Sequence, residues 1–270
     1  MHDKLWNDSP HIAIVAAHPD DEVIGAGALM MWLESRGRAR VEVLYVTDGA
    51  PRDMLAARAA GFDSREAYAS ARAAEAAAAL RHAGIASNQC RRLGLIDQEA
   101  SLDLAALARY LAARLKAGGI DVVITHPYEG GHPDHDATAF AVHTAVRLLC
   151  RNRHPHPPVV YEMTSYHAGP EGIRTGEFLP PPGPIVMVPL SRAERMRKRA
   201  MLTCFATQWR ARHTVADLEC ERFRPAPPYR FDEPPHAGRL WYEGFNWGMD
   251  GARWRQLATH ALAQLRLEAV

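Results

Sequence analysis

What this chain lacks narrows its class before any motif is read. Lysine plus arginine and aspartate plus glutamate nearly cancel, 32 against 31, for a formal charge of +1. Such a balance supplies no bulk attraction to nucleic acid or to an anionic membrane. No apolar run is long enough to span a bilayer. The start, Met1-His2-Asp3-Lys4-Leu5-Trp6, has none of the apolar stretch of a secretory leader. Only four cysteines occur (Cys90, Cys150, Cys204 and Cys220), and none form a Cys-x-x-Cys pair. That usage fits a reducing compartment. The expectation is a cytoplasmic protein with no transmembrane segment and no nucleic-acid partner. The run Arg192, Arg195, Arg197, Lys198, Arg199 reads as a solvated helix face. Internal repeats are absent too, and no composition shift marks a boundary. The 270 residues are expected to form a single α/β domain (1–270), with a proline-rich arm and a terminal helix in about 220–270.

What is present centres on Ile12 to Glu22, Ile-Ala-Ile-Val-Ala-Ala-His-Pro-Asp-Asp-Glu. Ile12 to Ala17 has the length and branching of a strand buried on both faces. Pro19 stops it, and Asp20, Asp21 and Glu22 suit the positive end of a helix. A second stretch repeats the plan. Val122 to Thr125 is a short buried strand, followed by His126 to Gly131, then His132-Pro133-Asp134-His135 and an apolar helix pattern over Ala137 to Leu149. Each His-Pro-Asp unit follows a strand, so both fall at the carboxyl edge of a parallel sheet, where ligands bind.

Between and beyond these stretches, β and α patterns alternate. Helix Val23–Ser35 ends at Gly37, with Gly25 and Gly27 permitting close approach to the sheet. Strand Val41–Val46 delivers the loop Thr47 to Asp53. An alanine-rich helix spans about Ser64 to His82, and Arg91–Leu95 reads as a short strand followed by Asp97. Ser101 is read as the N-cap of a helix to Lys116, stopped by Gly118-Gly119. Strands follow over 157–163 and 185–188, separated by a long Gly- and Pro-rich loop, Thr164 to Pro184. Ser191 and Glu194 make a capping box. Arg224 to Pro235 is read as an extended arm outside the core, and Gly251 to Leu267 as the last helix. The fold class is α/β: a Rossmann-like three-layer sandwich with a mostly parallel sheet and the active site at the carboxyl edge of its strands.

A metal that activates water needs about three protein ligands and an open position. The best trio is His18, Asp21 and His135: the first two lie across one turn, and the third arrives from the other motif. Asp20 is then placed as general base, and His132 as proton donor or oxyanion stabiliser, with Asp134 holding its tautomer. These groups suffice to hydrolyse an amide.

At these residues the sequence resembles the PIG-L (LmbE-like) zinc-dependent N-deacetylases, which remove acetyl from N-acetylglucosamine units on phosphatidylinositol, thiol precursors and antibiotics. The resemblance rests on Ala17-His18-Pro19-Asp20-Asp21-Glu22 and on His132-Pro133-Asp134-His135. It implies the same trio of ligands, the same two proton-transfer groups, and Zn²⁺ as cofactor, with Fe²⁺ as the alternative. Looser matches extend it to about Gln208. Arg72 and Glu75 look like the family's Arg-x-x-Glu helix, whose arginine contacts substrate. Asp97 resembles its substrate-binding aspartate, and Lys198 to Gln208 resembles a helix ending in Ser-Gln, with Thr207 replacing serine. Some relatives carry an oxyanion-contacting tyrosine two residues before the second motif's first histidine. Gly130 stands there in this chain, and Tyr128 lies two residues farther back.

The implied substrate is a small-molecule N-acetyl sugar or glycoconjugate, and homo-oligomerisation is left open. Arg52, Tyr128 and His236 complete the candidate substrate contacts, His236 because the proline arm can fold it over the cleft. Three rivals stand beside this reading. A conjugate amidase would cleave a larger acyl group. Two histidines and a carboxylate also hold Fe(II) in oxygenases, although Asp20 and His132 are proton-transfer groups. A sugar-binding protein without turnover has no use for Asp20. His82, His143 and His260 read as ordinary helix residues, and Trp241, Trp247 and Trp254 as packing anchors before sugar platforms.

Overall fold

The computed structural model describes residues 10–37, 39–180, 183–208 and 219–268. Met1 to Trp6 lies outside the described residues. Strands β1 (His11–Ala16), β2 (Arg40–Thr47), β3 (Cys90–Leu95), β4 (Val122–Thr125) and β5 (Val159–Met163) pair in parallel in the order β3-β2-β1-β4-β5. The sheet continues through β9 (Cys220–Pro225) and β8 (Val186–Pro189), both antiparallel to their neighbours. The helices are α1 (Asp21–Arg36), α2 (Leu55–Ala59), α3 (Arg65–His82), α4 (Leu104–Gly118), α5 (Pro133–Arg151), α6 (Arg192–Thr203) and α7 (Gly251–Gln264).

Alternation along the strands sorts the core into two layers. Ala13, Val15, Leu44, Val46 and Val123 face α4, α5 and α7. Ile12, Ile14, Val43, Tyr45 and Ile124 face α1, α3 and α6. Because both faces are covered at the centre of the sheet, β1 and β4 are apolar along nearly their whole length. Gly25 on α1 shows why a side chain is missing there: a Cβ would stand 2.5 Å from Met163 Sδ on β5.

Four local readings are corrected. Ser101 is no N-cap; it sits buried in a 3₁₀ turn (Ala100–Asp103), and Asp103 caps α4 by accepting from the Ala106 N–H at 3.2 Å. The long loop contains a hairpin, β6 (Tyr166–Gly169) and β7 (Gly172–Thr175), paired from Tyr166↔Thr175 to Gly169↔Gly172. The arm begins inside the sheet: β9 runs to Pro225, and Arg224 and Phe231 are buried. The basic run is not wholly solvated, because Lys198 is 0 % exposed.

The strand β9 carries charge that is buried in pairs. Arg224 Nε donates to Glu162 Oε2 at 2.8 Å, and its guanidinium lies 4.2 Å from the centre of the Phe178 ring. Glu221 accepts from Lys198 Nζ at 2.7 Å and from the N–H groups of Ala28 and Leu29 at 2.7 and 2.9 Å. Those two N–H groups are available because α1 is broken at Ala26 (φ −142°, ψ 19°). Lys198 Nζ also donates to the Ile24 carbonyl at 2.8 Å, which the break leaves without its helical donor. Both faces of the break are thereby satisfied from outside the helix.

Candidate active site

The turn after β1 is held in a costly conformation. Asp20 has φ 130° and ψ −29°, far from the ordinary wells of a side-chain-bearing residue. Its N–H donates to Glu22 Oε2 at 3.0 Å, and its carboxylate pairs with Arg72 at 3.2 Å. Arg72, from α3, also donates to the carbonyls of Pro19 (2.6 Å) and Gly49 (2.7 Å), tying the turns after β1 and β2 together.

From this turn and the start of α5, the histidines and acids converge. One ligand atom each of His18, Asp21 and His135 lie mutually within 4.8 Å, and all three residues are buried. His18 Nδ1 lies 3.2 Å from Asp21 Oδ2, and His135 Nε2 lies 3.4 Å from Asp21 Oδ1. Ser165 Oγ meets His135 Nδ1 at 3.1 Å, leaving Nε2 to face Asp21. A second group, His18, Asp97, His132 and Asp134, shares the same spacing.

Four buried carboxylates, those of Asp20, Asp21, Asp97 and Asp134, surround three imidazoles, and Arg72 is the one fixed cation lining the cleft among the described residues. Such an excess of buried negative charge is what a divalent cation balances. Burial pushes the Asp20 carboxyl up to about 7, with Asp21 adding to the rise and Arg72 opposing it. Burial works against a charged His18, but Asp97, Asp134 and Asp21 together hold its imidazole well above the usual range. The donor set, two imidazoles and a carboxylate with hydrogen-bonded second partners, fits Zn²⁺ or Fe²⁺.

His132 and Asp134 are arranged differently from the expectation. Asp134 Oδ2 is 3.3 Å from His18 Nε2 but 4.0 Å from His132 Nδ1, so its carboxylate supports His18. It also accepts the N–H groups of Gln98 (2.6 Å) and Ala100 (3.1 Å), drawing the turn after β3, and Asp97 with it, to the site. His132 is oriented by backbone: the Asp134 N–H donates to its Nδ1 at 3.2 Å. Burial, reinforced by His18, holds this imidazole well below its ordinary range. The neutral ring therefore carries its proton on Nε2, which lies 3.8 Å from Asp97 Oδ1.

Other candidates divide. Asp97 and Arg72 line the cavity of about 340 Å³ above this cluster. Glu75 accepts from Thr207 N and Oγ1 at 2.9 and 2.6 Å, and Gln208 reaches the cavity wall. Arg52 is not brought in; its side chain is 67 % exposed and pairs with Glu99. Tyr128 is a core residue, stacked on Trp254, with its hydroxyl donating to the Glu233 carbonyl at 2.9 Å. His236 lies outside the cavity lining, with Nδ1 2.8 Å from the Ala237 carbonyl.

Several residues of the site escaped the sequence reading. His126, in the turn after β4, stacks on His135 at 4.0 Å, and its Nε2 accepts the Ala17 N–H at 3.0 Å. Burial lowers its pKa to about 4, so it remains neutral. A His-Pro after a strand was the available signal. Asp136 accepts the N–H groups of Glu129 and Gly130 at 3.2 and 3.0 Å, shaping the loop before α5. Tyr166 and Ile173 from the β6–β7 hairpin, and Trp241, Phe245 and Trp247 from the chain beyond the arm, wall the cavity. Trp241 is anchored by its N–H on the Gly130 carbonyl at 2.9 Å, and Trp247 rests 4.8 Å from His132. Of the three tryptophans, Trp254 alone is a packing anchor of the core, donating from Nε1 to the Pro133 carbonyl at 3.1 Å.

This cluster, built on the ends of β1 and β4, falls within the part of the chain that matches a family model. Residues 13–146 match the model described as PIG-L: GlcNAc-PI de-N-acetylase. The chain belongs to the PIG-L family. Solved structures share its fold. The zinc-inhibited form of a teicoplanin deacetylase superposes with TM-score 0.58 at 18% identity, over 81% of this chain and 100% of that one. N,N'-diacetylchitobiose deacetylase from Pyrococcus horikoshii gives 0.59 at 19% identity, over 82% and 85%. A 4-carboxy-2-hydroxymuconate hydratase from Pseudomonas putida gives 0.55 at 16%, over 82% and 97%. No curated protein gives a significant match. Among the described residues, no helix is long and apolar enough to cross a membrane.

Proposed function

We propose that this PIG-L protein is a metal-dependent amidohydrolase that removes the acetyl group from an N-acetylated amino sugar or glycoconjugate. The observation that carries the reading is the convergence of His18, Asp21 and His135, all buried, beside a carboxylate (Asp20) and a neutral imidazole (His132). His18, Asp21 and His135 would hold the metal. When bound, a divalent ion polarises the acyl carbonyl and lowers the pKa of water. Asp20 takes the proton of the attacking water and passes it to the departing nitrogen. Arg72 and the strained backbone hold that carboxylate in place. His132 donates from Nε2 to the oxygen on which charge develops. Asp97 and the aromatic wall receive the rest of the substrate, hydroxyls toward Asp97 and ring faces toward Trp241 and Trp247. The family membership and the two deacetylases of like fold support an amide substrate. The hydratase of like fold shows that the sheet alone does not select the reaction.

An acetate-release screen over N-acetyl sugars, with protein loaded separately with Zn²⁺ and Fe²⁺, tests the proposal. Release is expected with a ring-bearing substrate, abolished by chelation and restored by metal. His18→Ala and His135→Ala are expected to bind less metal than wild type. Release of a longer acyl group but not of acetate would favour the conjugate amidase. The absence of amide cleavage by metal-loaded protein across the screen would overturn the reading.

A further inference from the structure

The donors that line the cavity are mostly committed. Arg72 spends its terminal nitrogens on Gly49, Pro19 and Asp20, and Gln208 donates to the Tyr68 hydroxyl at 2.5 Å. Tyr166 is different. It supplies the one phenol of the lining, and among the described residues its hydroxyl has no hydrogen-bond partner. Its ring meets His135 edge-on, with centroids 5.2 Å apart, while His132 lies 5.3 Å from His135.

Its placement is built into the backbone. The preceding residue, Ser165, holds His135 through Oγ, so the start of β6 is registered to a candidate ligand. Gly131 makes the approach feasible: a Cβ there would overlap the Tyr166 carbonyl oxygen. The glycine just before His132 thus lets the hairpin close against the metal loop.

Resting on the deacetylase reading, we propose that the Tyr166 hydroxyl is a second hydrogen-bond donor, beside His132, to the oxyanion that develops on the scissile acyl group. The phenol keeps its proton throughout; its bond to the acyl oxygen strengthens as negative charge accumulates there.

The test compares full-length, metal-loaded wild type with Tyr166→Phe, which keeps the ring against His135. It reads kcat, KM, metal content and the affinity for methylphosphonate, a tetrahedral anion, by calorimetry. Loss of one oxyanion donor is expected to lower kcat about 10²-fold and methylphosphonate affinity at least about 10-fold, with KM and metal content little changed. A kcat within about 3-fold of wild type together with equal phosphonate affinity, no binding by either included, overturns the assignment. A fall in metal content that accounts for the lost rate overturns it too, since Tyr166 would then merely orient His135. If wild type cleaves no N-acetyl compound, the deacetylase reading fails separately, and the phosphonate comparison alone decides the donor.

Discussion

Lys198→Met tests how the break in α1 is held. The side chain is 0 % exposed, and its Nζ serves both Glu221 and the Ile24 carbonyl. Methionine matches the length and removes the charge. Glu221 is left buried with the N–H groups of Ala28 and Leu29 as its remaining partners in this group, and the Ile24 carbonyl loses its donor. Breaking a buried pair from one side costs about 3–5 kcal/mol, and the two retained N–H bonds place this case at the lower end, about 3 kcal/mol. For a chain of this size that lowers Tm by about 6–12 °C. The double variant Lys198→Met/Glu221→Met sharpens the argument. Were the pair a plain salt bridge, replacing both partners would recover near-wild-type stability. Here the N–H groups of Ala28 and Leu29 would lose their acceptor, so the double variant should stay at least about 2 kcal/mol below wild type. Urea denaturation with chelator present, so that bound metal does not add to the folded state, measures both. A single-variant cost under about 1 kcal/mol, or full recovery in the double variant, would refute the reasoning.

Three further outcomes are expected. Asp20→Asn should keep metal content yet lose at least about 10²-fold in kcat, because an amide cannot take the water's proton; steady-state rates at measured occupancy decide this. Arg72→Ala should cut kcat/KM and lower stability, since the ties to Pro19 and Gly49 go with it, whereas Arg52→Ala, on an exposed pair, should leave kcat/KM unchanged and stability within about 0.5 kcal/mol. Glu129 is held protonated by burial, its pKa pushed from 4.5 to about 8. The fold therefore binds the extra proton between those values, and stability falls as pH rises through that window. Glu129→Gln removes that loss, so the variant should gain on wild type by up to a few kcal/mol between about pH 5 and 8; urea midpoints that keep a constant gap over this range would contradict the assignment.

The five parallel strands and the helices behind them were legible because their signals are local. A branched apolar run ending at Pro19 or at His126-Pro127 announces a strand end, and Ser64 and Ser191 cap the helices that follow, each accepting from a backbone N–H three residues on. The convergence of His18, Asp21 and His135 was legible for a related reason: two like motifs after two parallel strands must meet at one sheet edge, and β1 and β4 are neighbours. Where partners are distant in sequence, the reading went astray. The strand Cys-Glu-Arg-Phe-Arg-Pro looks too charged for a sheet until Lys198 and Glu162 are seen opposite Glu221 and Arg224. Ser101 looks like a cap until the tighter turn that Asp134 draws in from Gln98 and Ala100 moves the helix start to Asp103.

By itself, then, the sequence determined the sheet's parallel half, its loaded edge and the two His-Pro-Asp groups gathered there, because each follows from spacing within a few residues of a strand end. Tertiary structure alone decided what surrounds them. It placed Asp134 on His18 and not on His132, buried Tyr128 in the core, left Arg52 in solvent, and brought Tyr166 and Trp247 from distant segments to the cavity wall. Those outcomes depend on which backbones can approach one another. At Gly131, a single missing Cβ permits a contact with Tyr166 that no local pattern encodes.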